Sequence, residues 1–153
     1  MRVRKAREED AKDACAVLRR SIEDLCVADH GGDPSAIQAW LANKTPENVL
    51  SWLGAPGQHL VVAEEDGKIL GVGAATSAGE ITLNYVSPDA RFRGVSKAVL
   101  TALEAYLRER GRAQSTLSST RTAHRFYQAA GYADAGNPQT WGKLSCRPMA
   151  KTL

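Results

Sequence analysis

The stretch Val86-Ser87-Pro88-Asp89-Ala90-Arg91-Phe92-Arg93-Gly94-Val95-Ser96-Lys97 decides the fold, because it joins a predicted strand to a predicted helix. The first backbone N–H groups of a helix have no intrahelical acceptors and carry the positive end of the helix dipole. An anion placed there meets free donors. Gly94 allows the anion to approach the backbone closely. The turn therefore predicts a phosphate or polyanion site, and an ordinary loop with an exposed basic pair is the alternative.

The residues before this turn form three predicted strands. His59–Ala63 and Lys68–Thr76 flank Asp66-Gly67, a dipeptide typical of two-residue hairpin turns. Glu80–Val86 follows the Ser77-Ala78-Gly79 turn and alternates apolar and polar residues. This alternation predicts that three side chains share one face: Ile81, Leu83 and Tyr85. The three strands together predict an antiparallel meander.

Helices are predicted on both sides of the meander. The segment Ala6–Cys26 has an apolar stripe at helical spacing, and Asp33-Pro34 and Thr45-Pro46 each read as a cap followed by a first helical residue. We expect these helices to precede every strand. After the turn, the pattern predicts a helix ending near Gly111 and then three shorter elements, which are a strand at 113–118, a helix at 122–130 and a strand at 141–149.

Composition excludes several classes of function. The 153 residues, 43% apolar and 24% charged, predict one globular domain spanning 1–153. The net charge of +3 is scattered and predicts no nucleic-acid partner. No window of eighteen apolar residues and no apolar leader occur, so we expect no membrane span and a cytoplasmic location. The three cysteines and three histidines lack metal-ligand spacing, so no metal is expected.

Two segments of the chain resemble the signature motifs of the GCN5-related N-acetyltransferase (GNAT) superfamily. The first motif, Val-x-Pro-x-x-Arg/Gln-x-x-Gly-x-Gly/Ala, is matched from Val86 to Ser96, with serine as the last small residue. The second, Asn-x-x-Ala-x-x-Phe/Leu-Tyr-x-x-x-Gly-Phe/Tyr, is matched from Thr120 to Tyr132, with Thr120 replacing asparagine. The resemblance covers nearly the whole chain. It implies an α/β (α+β) GNAT fold, a mixed central β-sheet with an antiparallel N-terminal meander flanked by helices.

The resemblance also implies acetyl-coenzyme A (acetyl-CoA) as co-substrate. Its pantetheine arm is expected to pair with the main chain of Tyr85, Val86 and Ser87, and Thr120 and Tyr127 are expected to contact it. Its pyrophosphate is expected on the amides and cationic side chains of the turn. The turn residues concerned are Arg91, Phe92, Arg93, Gly94, Val95, Ser96 and Lys97.

Acetyl transfer to an amine requires support for a developing oxyanion and a proton for the leaving thiolate. By the resemblance, the phenol of Tyr127 supplies that proton, and the alternative is that Tyr127 only packs beside Phe126. Glu80 lies eleven positions before Arg91, the spacing at which histone-acetylating members carry a general base. Glu80 is thus the first candidate base, and the alternatives are an ordered water and an ordinary surface role for Glu80.

The acceptor is expected against the N-terminal helices, which form the variable wall of the family. The candidate acceptor residues are Asp29, His30, Trp40 and Asn84. The leading hypothesis is transfer to a primary amine of a small molecule, or of a peptide or protein, by direct attack in a ternary complex. The alternative is a non-catalytic acyl-CoA-binding or sensing domain. A homodimer is also expected, paired through the last strand as a free edge.

Overall fold

A central sheet of eight strands runs through the molecule in a computed structural model that describes all residues from Met1 to Leu153. The strands are β1 (Arg2–Lys5), β2 (Gln58–Glu65), β3 (Lys68–Thr76), β4 (Glu80–Val86), β5 (Gln114–Ser119), β6 (Ala133–Asp134), β7 (Gln139–Trp141) and β8 (Leu144–Thr152). Their order is β1-β2-β3-β4-β5-β8-β6, and β7 also pairs with β8. Strands β1 to β4 are antiparallel, whereas β4 and β5 are parallel. The mixed sheet with an antiparallel N-terminal meander is thereby confirmed.

Six helices cover the two faces of the sheet. They are α1 (Ala11–Leu25), α2 (Val27–His30), α3 (Pro34–Leu41), α4 (Pro46–Gly54), α5 (Val95–Glu109) and α6 (His124–Ala129). The predicted caps are confirmed, because Asp33 accepts a hydrogen bond from the Ser35 N–H and Thr45 accepts one from the Asn48 N–H. None of the helices has the length and apolar character needed to cross a membrane.

Strand β1 corrects the expectation that helices precede every strand. Its register with β2 pairs Val3 with Ala63. The side chain of Arg4 is held by two acids at once, at 2.7 Å from Asp10 and 2.8 Å from Glu64. A guanidinium satisfied in this way can lie largely buried in a strand. Because charged residues dominate the first five positions, the sequence pattern did not predict this strand.

Helices α5 and α1 bury opposite faces of the sheet. The core beneath α5 includes Val99 and Leu103, and the core beneath α1 includes Leu18 and Val62. Helix α5 approaches β3 closely because two glycines of β3 have no side chain. A Cβ added at Gly73 would lie 2.3 Å from Val99 Cγ1, and one at Gly71 would lie 2.6 Å from Val95 Cγ1. These two glycines fix how near the start of α5 comes to the sheet.

A β-bulge in β4 corrects the predicted alternation of that strand. The register with β3 pairs Leu83 with Ala74 and then Ile81 with Ala75, so the extra residue Thr82 has no partner. One extra residue reverses the face of everything beyond it. Ile81 accordingly packs beneath α5, whereas Leu83 and Tyr85 pack on the α1 side.

The last strand, β8, is paired along both of its edges. It lies beside β5 from Arg147 to Thr152, and β6 and β7 pair with its other edge. The predicted strand 141–149 is in fact the end of β7, a turn at Gly142 and the first part of β8. The expectation that the last strand is a free edge is therefore wrong, and it lends no support to a dimer.

Candidate functional site

A gap opens in the sheet between β4 and β5. The two strands pair only at Glu80 with Thr116 and at Ile81 with Leu117. On the other side of β4, the Ser87 N–H donates to the Leu70 carbonyl at 2.7 Å. Because backbone groups alternate sides along a strand, the N–H and C=O groups of Asn84 and Val86 point away from β3 and into the gap. Two residues of β4 thus present an unpaired strand edge.

The turn after β4 contains an unbroken row of backbone donors that have no acceptor within the protein. Ser87 caps a short 3-10 turn (Pro88–Ala90) by accepting from the Asp89 N–H. Beyond it, no backbone N–H from Arg91 to Lys97 donates a hydrogen bond within the protein. The backbone adopts positive φ at Phe92 (63°) and at Gly94 (79°). Seven consecutive free amides at the start of a four-turn helix form a site for a polyanion.

The cations of the turn do not all face the same way. The Arg91 guanidinium lies 4.6 Å from the centre of the Phe92 ring, and Phe92 is 90% exposed. Lys97 is exposed and forms no ion pair. Arg93, in contrast, pairs with Glu65 on β2. Two of the three predicted cationic side chains, those of Arg91 and Lys97, therefore remain available at the site.

A cavity of about 440 Å³ connects the turn with the strand gap and helix α6. A positive φ at a bulky aromatic residue such as Phe92 is uncommon, and this one lies on the cavity rim. The cavity brings together eleven of the predicted residues. They are Asn84, Tyr85, Val86, Arg91, Phe92, Gly94, Val95, Ser96, Lys97, Thr120 and Tyr127.

Tyr127 is a buried phenol in the wall of this cavity. Burial raises its pKa to about 12, and the neighbouring Asn84 side chain has a smaller, opposite effect. Burial also raises the pKa of Tyr85, whose hydroxyl is near Trp40. Both phenols are therefore protonated at neutral pH and are able to donate.

Asn84 places an unsatisfied acceptor in the same cavity. Its Nδ2 donates to the Ser96 carbonyl at 3.3 Å, while its buried Oδ1 has no hydrogen-bond partner. A carbonyl oxygen can only accept a hydrogen bond, so the NH2 end of the Asn84 side chain faces Ser96 and the Oδ1 end faces away. An unpaired buried acceptor costs about 1–3 kcal/mol, which a donor from a ligand would recover.

Several predicted site residues lie elsewhere. Glu80 is exposed at the opposite end of β4, six residues and about 20 Å along the strand from Val86. Asp29 accepts hydrogen bonds from the Arg121 and Thr122 N–H groups and so holds the loop before α6. The cavity lining includes neither of these two acids.

His30 and Trp40 are buried and serve the packing of the N-terminal helices. The Nε2 of His30 lies 2.8 Å from the Ile22 carbonyl, and its Nδ1 accepts from the Gly32 N–H at 3.0 Å. This pattern fixes the Nε2–H tautomer of a neutral ring. The main chain of Ser87, predicted to pair with the pantetheine arm, is used within the protein, because its N–H donates to Leu70 and its carbonyl accepts from the Ala90 N–H. Its side chain serves as a cap.

The C-terminal end of α1 contributes a wall that the sequence did not predict. Ser21, Leu25 and Cys26 line the cavity opposite α5 and α6. Burial raises the pKa of the Cys26 thiol to about 12, so it is not a ready nucleophile. The only sequence signal was the apolar stripe that ends at Leu25. Such a stripe predicts a buried helix face but does not show which part of the molecule covers it.

The residues at this site fit a ligand with a polyanionic head and an amide-bearing arm. The free amides of the turn suit phosphates, and the edge formed by Asn84 and Val86 suits a strand-like arm. Metal ligation has no comparable support, since no group of three or more His, Cys, Asp or Glu side chains is close enough to hold an ion.

Comparison with known proteins agrees with this geometry. A family model described as an acetyltransferase (GNAT) domain matches residues 27–153. The structure is similar to that of a GCN5-related N-acetyltransferase from Rhodopseudomonas palustris, with a TM-score of 0.89 and 26% identity over 99% of this chain and 95% of that one. No curated protein sequence matches the chain.

Two further solved structures share the fold. The PaiA N-acetyltransferase of Thermoplasma acidophilum, solved with coenzyme A, has a TM-score of 0.82 and 19% identity over 99% of this chain and 98% of that one. YncA of Salmonella typhimurium, a putative acetyltransferase solved with acetyl-CoA, has a TM-score of 0.75 and 18% identity over 99% of this chain and 93% of that one.

Proposed function

The chain belongs to the GNAT acetyltransferase family, and from that premise we propose that it transfers an acetyl group from acetyl-CoA to a primary amine by direct attack in a ternary complex. One observation carries the proposal. Six of the seven residues with free amides from Arg91 to Lys97, all except Arg93, line a cavity that also contains the unpaired edge of β4 and the phenol of Tyr127.

Acetyl-CoA binds in this proposal with its pyrophosphate on the free amides of the turn. Arg91 and Lys97 add charge-assisted contacts to the phosphates, whereas Arg93 remains paired with Glu65. The pantetheine arm pairs through its amide N–H groups with the backbone carbonyls of Asn84 and Val86, which point into the gap between β4 and β5, and the Val86 N–H is left for the thioester. The relatives solved with coenzyme A or acetyl-CoA share this fold and support the assignment.

The chemistry proposed for the site uses the buried phenol as an acid. Acetyl-CoA supplies a thioester carbon, to which the amine nitrogen forms a bond as the carbon–sulfur bond breaks. The backbone N–H of Val86 stabilises the developing oxyanion, and Tyr127 donates its proton to the departing thiolate. The proton lost by the new amide nitrogen returns to the phenolate. The products are an N-acetylated amine and a free thiol.

Asn84 orients the acceptor in this mechanism. Its buried Oδ1 accepts a hydrogen bond from the incoming amine, which aims the nitrogen lone pair at the thioester. Glu80 has no part in the proposal, because it lies outside the cavity. Before attack, an ordered water near Asn84 takes the extra proton of a protonated amine toward solvent, so that the neutral amine is the nucleophile.

The whole chain, 1–153, forms one catalytic domain in this proposal. Residues 1–26 precede the segment matched by the family model, yet β1 pairs with β2 and α1 lines the cavity. Removing this segment would expose the α1 face of the sheet and would delete Ser21, Leu25 and Cys26 from the cavity wall.

The proposal is tested by thiol release from acetyl-CoA, with mass spectrometry of the acceptor. The acceptors are small primary amines and lysine-containing or free-N-terminal peptides, each compared with its pre-acetylated form as a matched control. We expect thiol release together with an acceptor 42 Da heavier, the mass of an acetyl group replacing one hydrogen, as any N-acetylation requires. Tight binding of acetyl-CoA without turnover on any amine would support a sensing domain instead.

A further inference from the structure

A second pocket of about 250 Å³ lies beneath the loop between α3 and α4. Its floor is the α1 face of the sheet around the bulge of β4, and α4 forms one side. The lining residues are Asn43, Lys44, Trp52, Gln58, Leu60, Ala74, Thr82 and Leu83. None of them lines the acetyl-transfer cavity, so the two pockets are separate.

Lys44 is the one charged residue of this pocket and is unusually buried, with 8% of its surface exposed. Lysine is almost never buried to this extent without a partner of opposite charge. No carboxylate lies within ion-pair distance of its Nζ, which donates instead to the Asn43 Oδ1 at 2.7 Å. Burial also lowers the pKa of Lys44. The chain therefore buries an ammonium without the anion that would compensate it.

The other lining groups restrict what that anion is. Trp52, Leu60 and Leu83 offer an apolar surface, and Gln58 and Thr82 add polar groups. A single ammonium balances a single negative charge. No arginine and no free helix N-terminus faces the pocket, since Pro46 begins α4 and the Asn48 N–H is taken by Thr45. Such a site suits a carboxylate on a small apolar body better than a phosphate.

We propose that this pocket binds a small organic carboxylate, whose charge is paired with Lys44 and whose apolar part rests against Trp52 and Leu60. The site is additional to acetyl transfer, because the pocket shares no residue with the acetyl-CoA cavity. Thr82 and Asn43 are exposed and mark its opening to solvent. The proposal does not depend on the identity of the acceptor amine.

The test uses a matched pair of probes, phenylacetate and its neutral isostere phenylacetamide. We measure binding of both to the unaltered full-length protein by NMR titration and calorimetry. A charge-assisted hydrogen bond to a buried ammonium predicts at least about a tenfold preference for phenylacetate. The shifted resonances should belong to Lys44, Trp52 and Thr82. Equal binding of the two probes, or no binding of phenylacetate, overturns the proposal.

Lys44→Met provides the second arm, because an apolar side chain of similar length removes the charge and keeps the volume. We expect the preference for phenylacetate to disappear, while acetyl-CoA affinity stays unchanged. Lys12→Met, at an exposed position of α1, is the matched control and should keep the preference. The assignment is contradicted if Lys44→Met still prefers phenylacetate. It is also contradicted if inorganic phosphate displaces bound phenylacetate as effectively as benzoate does.

Discussion

The side-chain Nδ2 of Asn84 donates to the backbone carbonyl of Ser96 at 3.3 Å, and this bond ties β4 to the first turn of α5. The two residues lie on the same cavity, one in its strand edge and the other in its amide turn. The bond also fixes the orientation of the amide, so that the buried Oδ1 is left free for a ligand donor. A single side chain thus organises both halves of the site.

Asn84→Leu tests this relationship with a side chain of similar volume. The Ser96 carbonyl can still accept a hydrogen bond within helix α5. We therefore expect the free energy of unfolding to stay within about 1 kcal/mol of the wild type. Amine acetylation should fall by at least about tenfold, because the acceptor loses its orienting hydrogen bond. Urea unfolding and initial rates measure the two effects. Unchanged rates would remove Asn84 from the mechanism.

Tyr127→Phe and Glu80→Gln separate the two catalytic residues suggested by the sequence. Removing a general acid lowers rates by about 100-fold or more, so Tyr127→Phe should lose thiol release while acetyl-CoA affinity is kept. Glu80 lies outside the cavity, and Glu80→Gln should retain the wild-type rate. Steady-state rates and calorimetry on the two variants measure these outcomes. A large loss in Glu80→Gln would place the amine at the other end of β4.

The pH dependence of the reaction follows from the buried phenol. The pKa of Tyr127 is raised from 10.0 to about 12, so its protonated form persists throughout the range from pH 7 to 9. Deprotonation of the amine favours attack as the pH rises, and the acid remains in place. The rate at saturating acetyl-CoA should therefore not decrease between pH 7 and 9. A decrease there in the wild type that disappears in Tyr127→Phe would contradict the raised pKa.

Asp10 makes the stability of the folded state depend on pH in the acidic range. The Arg4 guanidinium, through its hydrogen bonds, holds the pKa of Asp10 below its ordinary value of 3.8. The folded state therefore binds the proton less readily than the unfolded state. The ion pair stabilises fully above pH 3.8, and this stability is lost as the pH falls through the lower pKa of the folded state.

Asp10→Asn should accordingly lower the free energy of unfolding by about 2 kcal/mol at pH 7. This loss is smaller than that of a buried charge deprived of its only partner, because Arg4 still pairs with Glu64. The difference from the wild type should shrink as the pH is lowered below 3.8. Urea unfolding from pH 7 to pH 3 measures it. A difference that is constant across this range would mean that the carboxylate charge is not what stabilises β1.

Gly73→Ala tests the close packing of α5 against β3. The added Cβ would lie 2.3 Å from Val99 Cγ1, so we expect a loss of about 2 kcal/mol in unfolding free energy from overpacking. Adding Val99→Ala should give less than the sum of the two single losses. Gly54→Ala, in α4 with open space at its Cβ, is the control and should not destabilise. Equal losses at both glycines would refute the packing argument.

The sequence predicted the elements whose signals are local. Asp66-Gly67 and the prolines after Asp33 and Thr45 set turns and caps by their own backbone preferences. The bounds of β3 and β4 were predicted as found, and the family motifs located the amide turn. All of these depend on residues that are neighbours along the chain.

What could not be predicted depends on distant partners. Arg4 lies in a strand because Glu64, sixty residues away, completes its ion pairs. The bulge at Thr82 arises in the pairing of two strands and reverses the face of Leu83. Asp29 was expected near the acceptor, yet the loop at Thr122 uses its carboxylate. The wall formed by Leu25 likewise becomes visible only when α1 meets the end of β4.

Calorimetric titration of acetyl-CoA into the wild type, Gly94→Trp and Gly111→Trp tests the central claim most directly. Both glycines have positive φ and open space at the Cβ, so the substitutions carry equal backbone strain, but only Gly94 lies on the amide turn. We predict that the wild type and Gly111→Trp bind alike and that Gly94→Trp loses at least about 100-fold in affinity. Absence of wild-type binding, or equal binding by all three proteins, would contradict the assignment of the turn as the acetyl-CoA site.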